Sequence, residues 1–416
     1  MRKGKTYLSF SIFIFFVMLL FLPCNSNADY LDNWFTVTSN TNNWFYGVTF
    51  GNGTFVTVGA FGTILTSPDG VVWSSQTSGD THHLYGIANS NNGSSTIFIA
   101  VGVNGTTIIS LNGGVSWTKG GTARRMGNAY DLYGVTYGNG TFVAVGNSGT
   151  IFTSTNGATW TSQTSGTINQ LTGVTYGNGI FIAVGYSGTI LTSPDDGVTW
   201  TSRTSGISEG LTGVTYGNGT FVAEGLNGTT LISLDNGVTW APITLGISDD
   251  LFGVTYGNYT FVAVGGFNGE SGTILTSYDY GVSWNLRGSG TPYDLEGIAY
   301  GHNPPNVVDA FVVVGGFGTI LINAESLPSI LPVRIYSPLA YFSTLQNAYG
   351  NASSSNTIQS MAFHFKESPL FNRSISITLA GGYDITYDEP NTSYTTVEGT
   401  LTISNGTVVV ENIIIQ

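Results

Sequence analysis

The chain has 416 residues, 11 Lys and Arg against 24 Asp and Glu, and a formal charge of −13. Only 8% of residues are charged, while 58 glycines and 13% aromatics suit turn-rich β structure and exclude a disordered chain, which is poor in aromatics. The acidity argues against nucleic acid and anionic lipid as partners, since both recruit basic surfaces.

In chain order, basic MRKGK, an apolar run over residues 7–22 and the Ser26-Asn27-Ala28 step have the three parts of a secretory leader. Residues 1–28 are therefore expected to be removed and the mature protein to be secreted, surface-held or periplasmic. Acylation of Cys24 in FLPC is the alternative, although Pro23 stands where lipoproteins want a small residue. Loss of Arg2, Lys3 and Lys5 leaves 8 basic residues against 24 acidic ones, a charge of −16. Cys24 is the only cysteine, so the fold cannot rest on disulfides. No later apolar run is long enough for a membrane span.

From residue 45 a unit of 39 to 48 residues recurs, opening at Phe45, Leu84, Leu132, Leu171, Leu211, Leu251 and Leu295. Periods of that length belong to propeller blades. Each unit holds four β-rich runs, as in GVTYG, TFVAVG, GTILTS and VTWTSQTS. Asn-Gly, Ser-Gly and Asp-Gly turns separate the runs and favour tight hairpins. The unit opening at Leu295 lacks a tryptophan strand, whereas Trp34 precedes Phe45 by the same 11 residues that separate Trp160 from Leu171. The expectation is an all-β, seven-bladed propeller over residues 29–325, its last blade closed by the N-terminal NWFTVTS.

Six units end in phrases such as SPDDGVTW, with Asp69, Asn112, Asn156, Asp195, Asp235 or Asp279 at the acid position and Trp73, Trp117, Trp160, Trp200, Trp240 or Trp284 at the end. Two copies carry Asn, and no copy supplies the carboxylate that would complete a calcium loop. The phrase is therefore read as a turn: the side chain accepts its own backbone N–H groups, glycine takes positive φ, and tryptophan packs between blades. Ser-x-Asp-x-Gly-x-Thr-Trp resembles the Asp box of bacterial-neuraminidase repeats. Over residues 34–325, FVAVGxxGTIxTSxDGxxW resembles the repeats of photosystem II stability and assembly factors. That resemblance implies a binding or chaperone-like propeller without catalytic residues.

Sialidases share only the box: their Arg-Ile-Pro motif is absent, the nearest string being Arg334-Ile335-Tyr336. Adjacent His82 and His83 point to opposite faces of an extended segment, and with four histidines a zinc site is not expected. No cofactor is expected. A carbohydrate-active enzyme on a propeller is the alternative function.

Propellers bind on the loops joining one blade to the next and the second strand to the third. In those loops Arg124 and Arg125 form a basic pair, joined by Tyr186, Arg203, Glu270 and Arg287 and by Asp249 and Asp250. The expectation is a glycan, anionic ligand or protein partner, with arginines matching carboxylates. Glu224 stands where six blades have Val58, Val101, Val145, Val184, Val264 and Val314. A carboxylate there is expected to be desolvated.

SLPSILPVRIYSP (residues 326–338) reads as a proline-containing linker. In residues 339–416, SISITLAGGYD and TTVEGTLTISNGTVVVENIIIQ resemble rungs at the start of a pectate-lyase-like right-handed parallel β-helix. A short stack of rungs leaves an apolar end, which makes self-association a further expectation.

Overall fold

The computed structural model describes residues 31 and 34–323, except 91–95, 122, 126–127, 267–270 and 303–308. It also describes 333–335, 340–342, 345, 349, 352–361, 364–365, 369–383, 395–397, 400–404, 406–411 and 413–415. The expected leader and its cleavage site, Cys24 and Glu270 lie outside these residues.

Seven four-stranded antiparallel sheets follow one another along the chain. Blade 1 is Phe45–Gly51, Thr54–Gly59, Ile64–Ser67 and Ser74–Gln76. Its pattern repeats through blade 6, which ends at Asn285–Gly288. Blade 7 takes Leu295–Gly301, Ala310–Gly315 and Ile320–Asn323 from the end of the ring and Trp34–Val37 from its beginning. Trp34 pairs with Asn323 and Val37 with Ile320, antiparallel. The ring thus closes as expected, and the third strand of blade 7 has no bare edge.

Burial explains the composition of each strand. Second strands such as Thr141–Gly146 are covered on both faces by neighbouring blades, so TFVAVG is almost continuously apolar. Outer strands such as Ser74–Gln76 are exposed and polar. First strands run side by side around the axis, and small residues permit the approach. A Cβ on Gly177 would lie 2.2 Å from Tyr216 Cγ of the next blade, which a van der Waals contact forbids. The hairpin between first and second strands turns at Asn139 (φ 45°) and Gly140 (φ 85°), the left-handed pair that Asn-Gly adopts at least cost.

Beyond the ring, the segment read as a linker contains a strand. Val333–Ile335 pairs antiparallel with both Ala340–Phe342 and Thr357–Met361. The alternation Val-Arg-Ile suits a strand, and the nearest prolines, Pro332 and Pro338, fall outside it. Parallel ladders then stack: Thr357–Met361 on Ser376–Tyr383 on Thr407–Glu411, and His364–Phe365 on Thr395–Val397 on Ile413–Ile415. A third ladder joins Leu370–Phe371 to Thr402–Ile403. Leu345, Tyr349, Ile358, Phe371, Leu379 and Val397 form a separate core, with Tyr349 stacked on Phe371 at 4.2 Å.

Candidate functional site

The tryptophan turns were the first candidates for chemistry, and their geometry is local. In SPDDGVTW, Asp195 Oδ1 accepts from Thr199 N at 2.9 Å and Oδ2 from Thr199 Oγ1 at 2.7 Å. Ser193 Oγ accepts from Gly197 N, and Trp200 Nε1 donates to Gly197 O. Asn156 Oδ1 accepts from Ala158 N and Thr159 N in the same way, so a neutral acceptor serves equally well. Trp73 packs with Phe55 of its own blade and Val312 and Ile322 of blade 7. Among the described residues no cluster of His, Cys, Asp and Glu could hold a metal ion.

The opposite face of the ring carries the variation between blades, at three positions held by backbone bonds. The residue before each first strand accepts, through its carbonyl, an N–H from the turn between second and third strands. Trp44 takes Ala60 N, His83 takes Val103 N, Asp131 takes Asn147 N and Asp294 takes Gly316 N. Because the carbonyl makes this bond, the side chain is left to vary from blade to blade. The second residue of the first strand falls at a shift in register, as between Phe45 and Gly47, so it bulges out of the ladder. Around the ring this position reads Tyr46, Tyr85, Tyr133, Thr172, Thr212, Phe252 and Glu296, all half-buried and each following a fully buried residue.

Two arcs result. Thr172 and Thr212 stitch blades together by donating to Leu211 O and Leu251 O. On the other side Tyr46 meets Tyr85 edge-on at 5.2 Å, and Tyr85 lies 5.2 Å from Tyr133. His83 stacks on Tyr85 and lies 5.1 Å from Phe61. A second group continues the surface over blade 7, where Phe317 lies 5.8 Å from Trp44 and 4.8 Å from Tyr293.

The third position is the tip of that turn: Phe61, Asn104, Ser148, Ser187, Asn227 and Phe317, with φ between 54° and 56°. Asn and Ser accept left-handed backbone readily, whereas a bulky aromatic there is uncommon and strained. Phe61 and Phe317 occupy it on adjacent blades and are 66% and 55% exposed. They gain little burial to offset the strain, which makes the aromatic surface a candidate site.

The charges around the arc are acidic. Burial first, then Asp131, pushes the Tyr85 and Tyr133 hydroxyls above their ordinary value. Burial, Tyr85 and Glu296 do the same to Tyr46. Glu296 keeps some accessible surface, yet burial and then Asp294 push its carboxyl up to about 7. Asp131 also caps the neighbouring turn, accepting from Asn104 N at 2.8 Å. At the rim, burial would raise Asp80, but Lys119 and His82 outweigh it and hold the carboxyl well below the usual range. Lys119 Nζ lies 2.6 Å from Asp80, a charge contact more than a directed hydrogen bond.

The residues singled out from the sequence fall at different places. Tyr186 is 43% exposed and extends the arc, acting on the Tyr133 hydroxyl. Arg203 and Arg287 sit on the outer strands of blades 4 and 6, where each Nε donates to Thr192 or Thr276 Oγ1 at 2.9 Å. Gln76 and Gln163 make the same bond in blades 1 and 3. Arg203 lines a groove of about 770 Å³ with Glu209, and blade 1 has its counterpart of about 650 Å³ at the repeat-equivalent residues. Arg124 and Arg125 form a two-residue ladder with Ala129 and Asn128, but their side chains lie outside the described residues. Asp249 accepts from Thr273 Oγ1 and Asp250 from Asn227 N. Among the described residues, Arg203 and Arg287 are held on separate blades.

Trp44, Phe61, Tyr85, Tyr293 and Phe317 escaped the sequence reading, and His83 entered it only beside His82 as an unsuitable metal pair. The signal was departure from the repeat at positions that look like loops. Glu224 fills the valine position between blades 5 and 6, and neither carboxyl oxygen has a hydrogen-bond partner among the described residues. Burial pushes it well above the usual carboxyl range.

Neither a protein-family model nor a curated protein matches the chain. Solved structures do. YCF48 from Cyanidioschyzon merolae is similar at a TM-score of 0.55 and 16% identity, over 70% of this chain and 98% of that one. YCF48 bound to D1 peptide gives 0.56 and 16%, over 70% and 95%. The WD40 β-propeller domain of Doa1 gives 0.52 and 13%, over 71% and 96%. The chain shares the propeller fold of these proteins.

Proposed function

We propose that the protein is an exported, non-catalytic scaffold that binds a protein segment on the loop face of its propeller. The observation that carries this is the aromatic surface on blades 7, 1, 2 and 3, with two exposed phenylalanines held in left-handed backbone at their turn tips. Exposed aromatics are typical anchors of protein recognition. That a YCF48 propeller is described as bound to a peptide supports the same use of the fold. Export rests on the leader-like residues 1–28.

Selection of a random phage-displayed peptide library on the wild-type chain and on a Phe61→Ala, Phe317→Ala variant tests this reading. Enriched peptides should bind the wild type and lose most affinity for the variant. Equal binding to both would remove the aromatic face from the function. A glycosidase would instead turn over fluorogenic glycosides.

The C-terminal ladders are proposed as the start of a β-helix-like module. Val409, Val410, Ile414 and Ile415 are exposed on its last described strands, which favours pairing with a second copy. Light scattering on residues 326–416, which keep Val333–Ile335, would read a stable monomer if no such pairing occurs.

A further inference from the structure

We infer that the partner segment is basic, and that the channel mouth receives a lysine or arginine side chain against the Tyr46, Tyr85 and Tyr133 arc. This rests on the loop-face reading above and names its ligand chemistry. Three tyrosine rings, Tyr85 touching both Tyr46 and Tyr133, present π-faces that attract cations, and Asp131, Asp294 and Glu296 supply negative charge beside them. Among the described residues no Lys or Arg pairs with Asp131 or Glu296, and the charges acting on the three hydroxyls come from acids and other tyrosines, with the neutral Asn147 accepting a hydrogen bond from Tyr133. An acidic whole molecule reinforces the local field.

The contrast between the arcs argues that this chemistry is placed. Where the bulged residue is Thr172 or Thr212, its hydroxyl is committed to the neighbouring blade. Where it is tyrosine, the neighbouring blade meets it with another ring. Among the described residues an anionic ligand at the mouth would find no cation beside the arc and would face Asp131 and Glu296. A neutral apolar ligand would desolvate Asp131 and Glu296 without supplying a countercharge, which is costly. A cation satisfies both rings and acids.

The test is fluorescence anisotropy of the full chain with a short Gly-Lys repeat peptide, its Nε-acetylated form and a Gly-Glu repeat. The Gly-Lys peptide should bind, and acetylation should weaken it about tenfold. Tyr85→Leu with Tyr133→Leu should cost a similar factor, whereas Tyr85→Phe with Tyr133→Phe should retain binding because the π-faces remain. Glu296→Gln, nearly isosteric, should weaken binding without unfolding the blade. Asp196 lies on the opposite face, where it accepts from Asn139, and Asp196→Asn should change nothing.

Equal loss on Asp196→Asn would reduce the effect to diffuse charge and overturn the inference. Tighter binding of the acetylated or Gly-Glu peptide would also overturn it, while leaving the loop face as a binding surface if Phe61→Ala, Phe317→Ala abolishes that binding. Failure of the Gly-Lys peptide alongside success of library-selected peptides would likewise defeat only the cationic assignment. Failure of every peptide would defeat both readings.

Discussion

Glu224 and the two left-handed phenylalanines are residues whose stability cost the fold does not require. Six blades fill the Glu224 position with valine, and the carboxyl lacks a partner among the described residues. Its folded-state value lies above the ordinary 4.5, so the folded protein retains a proton that the unfolded chain releases. Stability therefore falls as pH rises above 4.5, until the folded value is reached. Glu224→Val should stabilise by about 1–3 kcal/mol at neutral pH, and its advantage should grow from acid to neutral pH. Melting curves that coincide at both ends would contradict this. At the turn tips the sign differs. Phe61→Asn with Phe317→Asn relieves strain of about 1–3 kcal/mol each and loses ring contacts worth about 0.5–1.5 kcal/mol. The melting temperature should hold or rise while peptide binding disappears. A clear drop in the melt would mean that these rings support the fold instead.

At the scale of the strand and turn, the ring depends on one short ladder. Trp34–Val37 covers Ile320–Asn323 through four residue pairs, and Val37 packs with Phe45, Phe55 and Trp73 of blade 1. Deleting residues 34–37 should expose an edge strand and open that core, lowering the melting temperature by roughly 10 °C and producing aggregates in gel filtration. A melt unchanged by the deletion would show that closure is dispensable. The Asp turns should behave oppositely. Hydrogen bonds from Thr199 and Thr239 hold Asp195 and Asp235 below the usual carboxylate value. Their stabilisation is thus present above 3.8 and is lost as pH falls through the lower folded values. Because Asn156 already makes the same turn, Asp195→Asn with Asp235→Asn should leave the neutral-pH melt unaltered and soften the acid decline. These elements were legible in the sequence because each copy repeats the residues that its backbone demands: Asn-Gly at hairpins, apolar runs between blades, tryptophan after each turn. Val333–Ile335 was not legible, since flanking prolines hid a strand of three residues.

At the scale of the whole molecule, the sequence revealed the ring but largely concealed the site, for a physical reason. Repetition records what backbone geometry requires, whereas the candidate site occupies three positions per blade where main-chain bonds or bulges make the side chain optional. Tyr46, Tyr85 and Tyr133 are far apart in sequence and adjoin only because the blades form a circle. The isolated arginines favour an anion, whereas the described acids beside the tyrosine arc, Asp131, Asp294 and Glu296, favour a cation. That polarity gives binding a definite pH dependence. Glu296, facing Tyr46 and Asp294, titrates at about 7, so below that pH it is neutral and offers a cation no charge. Affinity for the Gly-Lys peptide should therefore rise about three- to tenfold between pH 6 and pH 8, and added salt should weaken it. Glu296→Gln should flatten the rise. A profile unchanged by Glu296→Gln would detach Glu296 from the ligand.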